Sequence, residues 1–313
     1  MTRIIHGIDV GGTKIELVSH DEDLTPLHRR RIDTPTQGIQ EFIEAVVGLV
    51  EEADDCVGAA TAVGVGIPGF VDPRTGCHVS ANIPALRGHR VARMLQASLK
   101  QPVNVANDCH CFALSEANGG AAARFDSMFG LVIGTGAAGG YCVNGRLLKG
   151  RNGALGETGH TPISAAVLQG HGLPIFECAC GQRGCLERYV SGSGLRAIYT
   201  HLSDSQLDGQ GIMALACAGD SAARQALAVH LDILASSLAS LVLHLDPGAI
   251  VLGGGLSKLS HLYEELPEQV TRHLVRGLIS PPILPPAFGD AGGTRGAAVL
   301  ALSLLRAEDA RAC

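Results

Sequence analysis

The sequence predicts a two-domain α/β protein. Its 313 residues are enough for two domains, and 46% of them are hydrophobic, which supplies ample core material. Apolar runs with strand character alternate along the chain with runs of helical spacing. The 41 glycines favour tight turns and close backbone approaches, as in nucleotide-binding α/β proteins.

Charge and hydropathy argue against several classes of protein. The net charge is -6 and only 17% of residues are charged, which is unlike a nucleic-acid-binding or polybasic membrane surface. The N-terminus lacks the long apolar stretch of a signal peptide, and the sequence contains no run of about eighteen uncharged apolar residues. We therefore expect a cytoplasmic protein with reduced thiols and with neither a nucleic-acid nor a membrane partner.

The first element is a strand over residues 4–10, followed by a glycine turn and a second apolar run over 15–18. This order indicates a hairpin and not the strand–loop–helix of a Walker P-loop. Bare glycine amides at such a turn can contact phosphate oxygens. Asp9, just before the turn, could hold a metal-bound water. The alternative is an ordinary hairpin turn. The candidate cofactor-binding residues here are Asp9, Gly11, Gly12, Thr13 and Lys14.

A polar pair follows a strand in the next part of the chain. Asn107 and Asp108 come directly after a short strand and before a helix. Ligands gather at the carboxyl ends of strands in α/β sheets, although Asp108 could alternatively only cap the helix. Asn82, in a loop-rich stretch, is either a ligand contact or a turn former. The elements predicted here are a helix over 38–53, a strand over 62–67 ending at Pro68-Gly69, a helix over 91–99, a strand over 103–106 and a helix over 111–117.

A second glycine turn echoes the first. A strand over 129–133 leads into G-T-G-A-A-G-G at 134–140, and Asn144-Gly145 between apolar runs predicts a type I′ hairpin. Two such turns, one in each domain, would hold a polyphosphate between two lobes. The candidate residues are Thr135, Gly136, Gly139 and Gly140.

The C-terminal third is predicted to be mainly helical around one strand. The leucine stripe of the helix over 221–245 indicates a core helix and not a coiled-coil seam, because it ends at Asp246-Pro247. A strand over 249–252 runs into three glycines, of which Gly254 and Gly255 are predicted to form a shelf for adenine and ribose. The alternative is a plain helix-entry turn. The other predicted helices cover 193–201, 211–218, 261–276 and 294–306, with a proline-rich irregular link before the last.

A cysteine cluster predicts a metal site. Cys178, Cys180 and Cys185 lie around Gly181 and Gly184, and His160 lies upstream. Three thiolates and one imidazole form a closed, structural zinc site. The alternatives are buried cysteines that only cluster, or a disulfide, which a cytosolic chain disfavours.

Together these pieces resemble the ROK family of bacterial sugar kinases, within the actin, hexokinase and Hsp70 superfamily. The combination of the fifth and sixth motifs below is more specific than the glycine turns. The motifs are D-V-G-G-T-K (9–14), G-I-P-G (66–69), N-D (107–108), G-T-G-A-A-G-G (134–140), E-T-G-H (157–160), C-A-C-G-Q-R-G-C-L-E (178–187) and G-G-G (253–255). Three further stretches resemble bacterial N-acetylglucosamine kinases, namely A-N-I-P-A (81–85), F-A-L-S-E-A (112–117) and G-D-A-G-G-T-R-G-A-A (289–298).

The resemblance implies an actin/hexokinase/Hsp70-like (ribonuclease H-like) fold with an interdomain active-site cleft. The implied domains are a small one of residues 1–120 plus 290–313 and a large one of 121–289 that carries the zinc site. The implied activity is ATP-dependent phosphorylation of the 6-hydroxyl of N-acetyl-D-glucosamine, with Mg²⁺ and structural Zn²⁺ as cofactors and a homodimer as a possible assembly. The alternatives are a kinase for glucose, fructose or mannose, a sugar-responsive repressor, and a non-catalytic sugar-binding scaffold.

The resemblance also implies roles for single residues. Asp108 becomes the catalytic base, and the amides of Gly11, Gly12, Thr135 and Gly136 become phosphate donors. The substrate-binding residues are Gly69, Asn82, Asn107, Asp108, Glu157, His160 and Glu187, with one nitrogen of His160 on zinc and the other toward the sugar. Two departures from the family pattern stand out: His110 replaces an expected asparagine, and Ala137 and Ala138 occupy the second glycine-rich loop.

Overall fold

The structure is a computed structural model that describes residues 3–80, 83–289 and 292–312, with side chains described as far as Leu305. Its contacts divide the chain into two compact units. Unit 1 is Met1–Ala123, Gly140–Leu155 and Ala287–Cys313, and unit 2 is Arg124–Gly139 and Gly156–Pro286. The predicted large domain includes residues 140–155, which this grouping places in unit 1, and the predicted domain boundaries stay a prediction.

The first half of the chain alternates strands and helices as predicted. Two short 3₁₀ segments, at Pro84–Leu86 and Thr158–His160, interrupt the loops. The strands and helices are β1 (Ile5–Val10), β2 (Lys14–His20), β3 (Pro26–Asp33), α1 (Ile39–Val57), β4 (Ala62–Gly66), β5 (Phe70–Val71), β6 (His78–Val79), α2 (Val91–Ser98), β7 (Val103–Ala106), α3 (Asp108–Ala117), β8 (Ser127–Ile133), β9 (Ala137–Val143) and β10 (Arg146–Leu147).

The second half is mainly helical, again as predicted. A further 3₁₀ segment, Gly255–Lys258, follows the strand of this region. The elements are α4 (Ala165–His171), α5 (Glu187–Val190), α6 (Gly192–Ser203), α7 (Gly209–Cys217), α8 (Ser221–Leu245), β11 (Ala249–Gly253), α9 (His261–His273), β12 (Ile283–Leu284) and α10 (Gly292–Ala312).

Unit 1 is built on a five-stranded sheet with the order β3-β2-β1-β4-β7. Strands β1, β4 and β7 are parallel, with Asp9 opposite Gly66 and Gly66 opposite Ala106. One face packs on α1 and α2 through a core that includes Ile8 and Phe42, both fully buried. Because parallel strands present their carboxyl ends at one edge, the segments after β1, β4 and β7 are brought together.

Glycines allow α10 to approach the other face of this sheet closely. A Cβ added at Gly7 of β1 would collide with the carbonyl oxygen of Thr294, and one added at Gly64 of β4 would collide with that of Ala297. A Cβ at Gly296 of α10 would in turn collide with the carbonyl oxygen of Cys111 in α3. Backbone therefore packs directly on backbone at three points, which accounts for the glycines at these positions of β1, β4 and α10.

The second sheet has the order β10-β9-β8-β11-β12, in which β8, β11 and β12 run parallel. Strand β9 passes from unit 2 into unit 1 between Gly139 and Gly140. The turn from β9 to β10 has φ angles of 50° at Asn144 and 70° at Gly145. Two successive positive φ angles are what a type I′ turn requires, so the hairpin predicted from Asn-Gly is confirmed.

Helix α8 is the core helix of unit 2. The side chain of Asp220 accepts a hydrogen bond from the amide of Ala223 and caps its N-terminus, and the stripe residues Leu231, Leu234 and Leu238 are buried. With a mean hydropathy of 1.9 over its most apolar window, α8 is long and apolar enough to cross a membrane by length and composition, yet 61% of that window is buried within the structure. The buried stripe confirms the prediction of a core helix.

Asp232 of α8 joins three helices of unit 2. One of its carboxylate oxygens accepts a hydrogen bond from His171 at the end of α4, and the other accepts one from His273 at the end of α9, each at 2.7 Å. Partial burial acts to raise the pKa of Asp232, but the two histidine hydrogen bonds outweigh it and hold that pKa below its usual value. The carboxylate is therefore more favourable in the folded chain than in the unfolded one.

We expect Asp232→Asn to lower the free energy of unfolding at pH 7 by about 1–2 kcal/mol, because the amide nitrogen cannot accept a hydrogen bond from the second histidine. The loss stays this small because the side chain is partly exposed to solvent. Since the folded pKa is depressed, this contribution is present above the unfolded value of about 3.9 and is lost as pH falls through the folded value. Urea denaturation at pH 7 and at low pH measures both effects. Asp204→Asn, at an exposed helix end, is the control; equal stability of the two variants at pH 7 would contradict the role of Asp232.

The structure contains several elements that the sequence did not predict. These are the strands β3, β5, β6 and β12 and the helices α4 and α5, and α3 begins at Asp108, three residues earlier than expected. The glycine-rich loop predicted over 134–140 is also shorter: the turn is Gly134–Gly136, closed by a hydrogen bond from the Gly134 amide to the Gly136 carbonyl. Residues 137–140 continue as strand β9 because they pair in the sheet.

Candidate active site

The carboxyl ends of β1, β4 and β7 gather the predicted polar residues of unit 1. The amide of Asn107 donates a hydrogen bond of 2.8 Å to the carbonyl of Gly69, so the segments after β7 and β4 are tied together. Gly69 has a φ of 103°, and a Cβ there would collide with the carbonyl of Val79. Glycine at this position is thus required by the backbone, and it brings the turn within reach of Asn107.

Asn107, and not Asp108, is the N-cap of α3. Its side-chain oxygen accepts from the amide of Cys109 at 2.7 Å, which is the usual capping bond. Asp108 is the first helical residue, and its carboxylate accepts from the same amide at a longer 3.0 Å. Because Asn107 already supplies the cap, helix capping does not account for an aspartate at position 108.

Asp9 and Asp108 form an acidic pair with raised pKa values. Burial raises the pKa of Asp9 to about 7, and the neighbouring charges of Asp108 and Glu16 add to the effect. Burial likewise raises the pKa of Asp108. Gly293 lies against the Asp9 carboxylate, with an added Cβ only 2.5 Å from Oδ2. Two carboxylates in one partly buried place favour a bound cation or a proton.

The first glycine turn is closed by its own backbone. The amide of Gly11 donates to the carbonyl of Lys14 at 2.8 Å, while Gly12, Thr13 and Lys14 are exposed. Thr34, which the sequence did not single out, donates its hydroxyl to the Gly11 carbonyl at 2.7 Å and its amide to the Thr13 carbonyl. Because the Gly11 amide is engaged in the turn, Gly12 and Thr13 are the better candidates to face a phosphate.

In unit 2, two glycine turns lie at the same edge of the sheet. Strands β8 and β11 are parallel neighbours, so the turn Gly134–Gly136 lies beside Gly254 and Gly255. A Cβ on Gly254, whose φ is 80°, would meet the carbonyl of Ile133 at 2.6 Å. The adjacent turns form a surface of bare backbone, with Thr135 and Gly255 exposed.

Gly139 and Gly140 are explained by packing. A Cβ on Gly139 would collide with the carbonyl of Gly130 and the ring of Phe129. A Cβ on Gly140 would lie 2.9 Å from Cβ of Ala113 in α3. Both residues are buried in strand β9, so steric need accounts for glycine at these positions without a phosphate.

The structure brings together the four predicted zinc ligands. Their ligand atoms all lie within 4.8 Å of one another, with 3.8 Å from Cys178 Sγ to His160 Nδ1 and 3.5 Å from Cys180 Sγ to Cys185 Sγ. A tetrahedral zinc with its usual bond lengths places neighbouring ligand atoms about 3.6–3.8 Å apart. The donor set and its spacing therefore fit a structural zinc ion.

Two carboxylates flank this cluster. Glu157 precedes the 3₁₀ turn that carries His160, and its carboxylate lies 4.0 Å from Nε2 of that ring. Glu187 begins α5, and its carboxylate lies 3.8 Å from Nδ1 of His160. An added Cβ on Gly136 would be 2.8 Å from Glu187, so this carboxylate also lies beside the second glycine turn. Asn82, the other predicted sugar contact, lies outside the described residues.

Tyr189 fixes this arrangement from within the core, a role that the sequence pattern did not indicate. It is fully buried, and its hydroxyl donates to the carbonyl of Pro174 and accepts from the amide of Phe176, each at 2.9 Å. Its own helix carries Glu187, while residues 174–176 lead into Cys178. One side chain therefore holds both ends of the cysteine loop.

The chain matches a known family along nearly its whole length. The model described as the ROK family matches residues 5–303. An N-acetyl-D-glucosamine kinase from Pasteurella multocida (strain Pm70) is 40% identical, over 95% of this chain and 99% of the relative. An N-acetylgalactosamine kinase from Shewanella sp. (strain ANA-3) is 41% identical, over 94% of this chain and 96% of the relative.

A solved structure agrees with these sequence relatives. The crystal structure of a ROK hexokinase from Thermus thermophilus has a TM-score of 0.86 at 32% identity and covers 98% of this chain and 100% of its own. The resemblance and the hexokinase-like α/β fold inferred from the motifs are thereby confirmed. The chain belongs to the ROK family.

Proposed function

We propose that this protein transfers the γ-phosphoryl group of ATP to the 6-hydroxyl of N-acetyl-D-glucosamine, with Asp108 as the general base. The coarser statement, that the chain is a sugar phosphotransferase, is carried by one observation: relatives named as sugar kinases are about 40% identical over almost their full length. The acidic pair and the glycine turns supply what that chemistry needs.

Asp108 is suited to accept a proton. It lies at the first turn of α3, at the carboxyl edge of the sheet, where Asn107 has taken over the cap. As the sugar oxygen attacks phosphorus and the bond to ADP breaks, the hydroxyl proton passes to the Asp108 carboxylate. Phosphoryl transfer depends mainly on positioning and charge stabilisation, so an ordinary carboxylate suffices once it is ionised.

We assign the phosphates of ATP to backbone amides of the two glycine turns. Gly12 and Thr13 of the first turn and Thr135 and Gly136 of the second are the donors that we assign to them, with Lys14 nearby and Gly254 and Gly255 toward the nucleoside. Asp9 would hold Mg²⁺, directly or through water, and the paired carboxylates fit a divalent cation. Bound there, the ion would neutralise phosphate charge.

The sugar is proposed to bind to Asn107, Gly69, Glu157, His160 and Glu187, together with Asn82. Carboxylates and amides suit sugar hydroxyls because they accept or donate in fixed pairs. Zinc on His160 and the three cysteines would hold one wall of this pocket, and its ligation would fix the tautomer of His160. The metal supplies support and takes no part in proton or phosphoryl transfer.

N-acetylgalactosamine is a second candidate substrate, because a kinase named for it matches this chain as well as those named for N-acetylglucosamine. The two sugars differ only in the orientation of the 4-hydroxyl. Sequence identity does not separate them, and the stretches that resemble N-acetylglucosamine kinases remain the ground for our first choice.

An ATP-coupled assay across N-acetylglucosamine, N-acetylgalactosamine, N-acetylmannosamine, glucose, mannose and fructose tests the proposal. We expect the highest kcat/KM for N-acetylglucosamine, by about tenfold or more over its 4-epimer, since a site built to bind a hydroxyl leaves polar groups unpaired when that hydroxyl is moved. A higher kcat/KM for another sugar would replace the substrate assignment. Absence of phosphoryl transfer to every sugar would favour a non-catalytic role, such as a sugar-responsive regulator or a scaffold.

We further propose that the protein acts in the cytoplasm, where ATP is available and thiol ligands stay reduced. The possible homodimer also remains a proposal.

A further inference from the structure

His110 has a structural task that the proposed mechanism has not yet used. It is the third residue of α3, two positions after Asp108. Its Nε2 atom lies 2.8 Å from the carbonyl oxygen of Leu155. Because a carbonyl only accepts hydrogen bonds, Nε2 carries a proton and donates it to Leu155.

The ring of His110 also rests on the backbone of strand β9. A Cβ built on Gly140 would lie 3.3 Å from Cδ2 of the His110 ring and 3.2 Å from its Cα. His110 thus contacts both Gly140 and Leu155. These are the first and last residues of the unit 1 segment that joins the two segments of unit 2.

The segment after Leu155 is pinned a second time. The carbonyl of Gly156 accepts a hydrogen bond of 2.7 Å from the amide of Gly139. Gly156 has a φ of 103°, a conformation that any other residue would strain to adopt. Glu157 follows directly. The two peptide units before Glu157 therefore each have a hydrogen bond that fixes their orientation.

From these contacts we infer that His110 is a positioning residue for Glu157 and so sets the affinity for the sugar. The inference rests on the proposed function, in which Glu157 binds a sugar hydroxyl. A single helix then serves two purposes, because α3 carries the base at Asp108 and, two residues further on, the histidine that holds the chain leading to Glu157. Without the hydrogen bond from His110 to Leu155, only the hydrogen bond between Gly139 and Gly156 would fix the chain before Glu157.

The hydrogen bond should persist across the working pH range. Burial lowers the pKa of His110, so the ring is neutral near pH 7. On protonation Nε2 keeps its hydrogen, and the bond to Leu155 remains possible. A glutamine side chain can present an amide nitrogen at a similar reach, whereas alanine cannot donate at all.

We expect His110→Ala to raise KM for the sugar about tenfold, the effect expected from losing one buried hydrogen bond, and to leave KM for ATP within about twofold. His110→Gln should restore the sugar KM to within about twofold of the wild type. His201→Ala, which removes an exposed histidine of α6, is the matched control. Titration calorimetry with the sugar alone should show the same loss and recovery of affinity.

Three results would overturn the assignment: an unchanged sugar KM in His110→Ala, equal rises in both KM values, or failure of glutamine to recover the sugar KM in a variant that unfolds at the wild-type temperature. These outcomes differ from a failure of the proposed function itself. In that case the wild-type protein would show no transfer to any sugar, and calorimetry of the wild type would show no sugar binding.

Discussion

Asp108→Asn should lower kcat by about a thousandfold while KM for ATP and for the sugar stay within about twofold. The amide has nearly the shape of the carboxylate and can still accept from the Cys109 amide, so the first turn of α3 is preserved. It cannot accept the proton of the attacking hydroxyl. Steady-state kinetics with both substrates varied would measure the effect.

The same substitution should not destabilise the fold. Burial raises the pKa of Asp108, so its charge costs stability: the contribution of this group is greatest below the unfolded value of about 3.9 and is lost as pH rises through the folded value. Removing the charge should leave the unfolding temperature at pH 8 unchanged or raise it. Asp126→Asn, at an exposed carboxylate, is the control for both readouts. Near-wild-type turnover in Asp108→Asn would refute the base assignment.

Cys180→Ser should remove the metal and weaken sugar binding together. Cys180 is the exposed thiol of the cluster, 3.5 Å from Cys185. A serine hydroxyl is a poor zinc ligand at neutral pH, so we expect metal content to fall from about one zinc per chain to near zero. The sugar KM should rise by about tenfold or more, because His160 and Glu187 lose their common support.

The rest of unit 2 should tolerate this loss. Tyr189 and the backbone hydrogen bonds of the loop, such as that from the Cys178 amide to the Gln182 carbonyl, do not depend on a metal. Elemental analysis and thermal unfolding separate the two effects, with Cys217→Ser at another exposed thiol as the control. A purified wild-type protein without zinc would contradict the site, and full sugar affinity in a zinc-free variant would contradict its link to the sugar.

Local sequence signals predicted most elements of the fold because their physics is local. Asn144-Gly145 specifies its turn through two residues that tolerate positive φ. Strand β3 was missed for the opposite reason. Its residues Arg29 and Arg31 show no apolar period, and both pair with Glu16 on the neighbouring strand. Pairing with β2 makes this edge segment a strand, and the composition of residues 26–33 alone does not show that pairing.

The candidate site was predictable in its residue types and not in its distances. The spacing of the cysteines pointed to a metal, whereas the glycines at 139 and 140 pointed to a phosphate although packing accounts for them. The space that a glycine leaves can be filled by a ligand or by a neighbouring residue, and which of the two fills it depends on the tertiary packing around it. The engagement of the Gly11 amide by Lys14 was hidden for the same reason.

Two of the three stretches that resemble N-acetylglucosamine kinases pack against each other. Glu116, fully buried, accepts from the amides of Ala287 and Phe288, and Arg295 donates to the carbonyl of Ser115 and stacks over the Phe288 ring at 4.1 Å. The F-A-L-S-E-A stretch and the described part of the stretch that begins at Gly289 therefore contact each other.

The close packing of α10 on β1 and β4 has a consequence for the order of assembly during translation. Ile5 buries itself with Ala298 and Ala301, so the first strand of the chain completes its environment only with one of the last helices. Domains usually fold as they leave the ribosome, the N-terminal one first. Here one face of the first sheet stays uncovered until α10 has been synthesised, and unit 2 can fold while unit 1 is still incomplete. Nascent chains stalled before Gly292 should accordingly bind chaperones through the face of β1 and β4 that α10 covers in the folded protein.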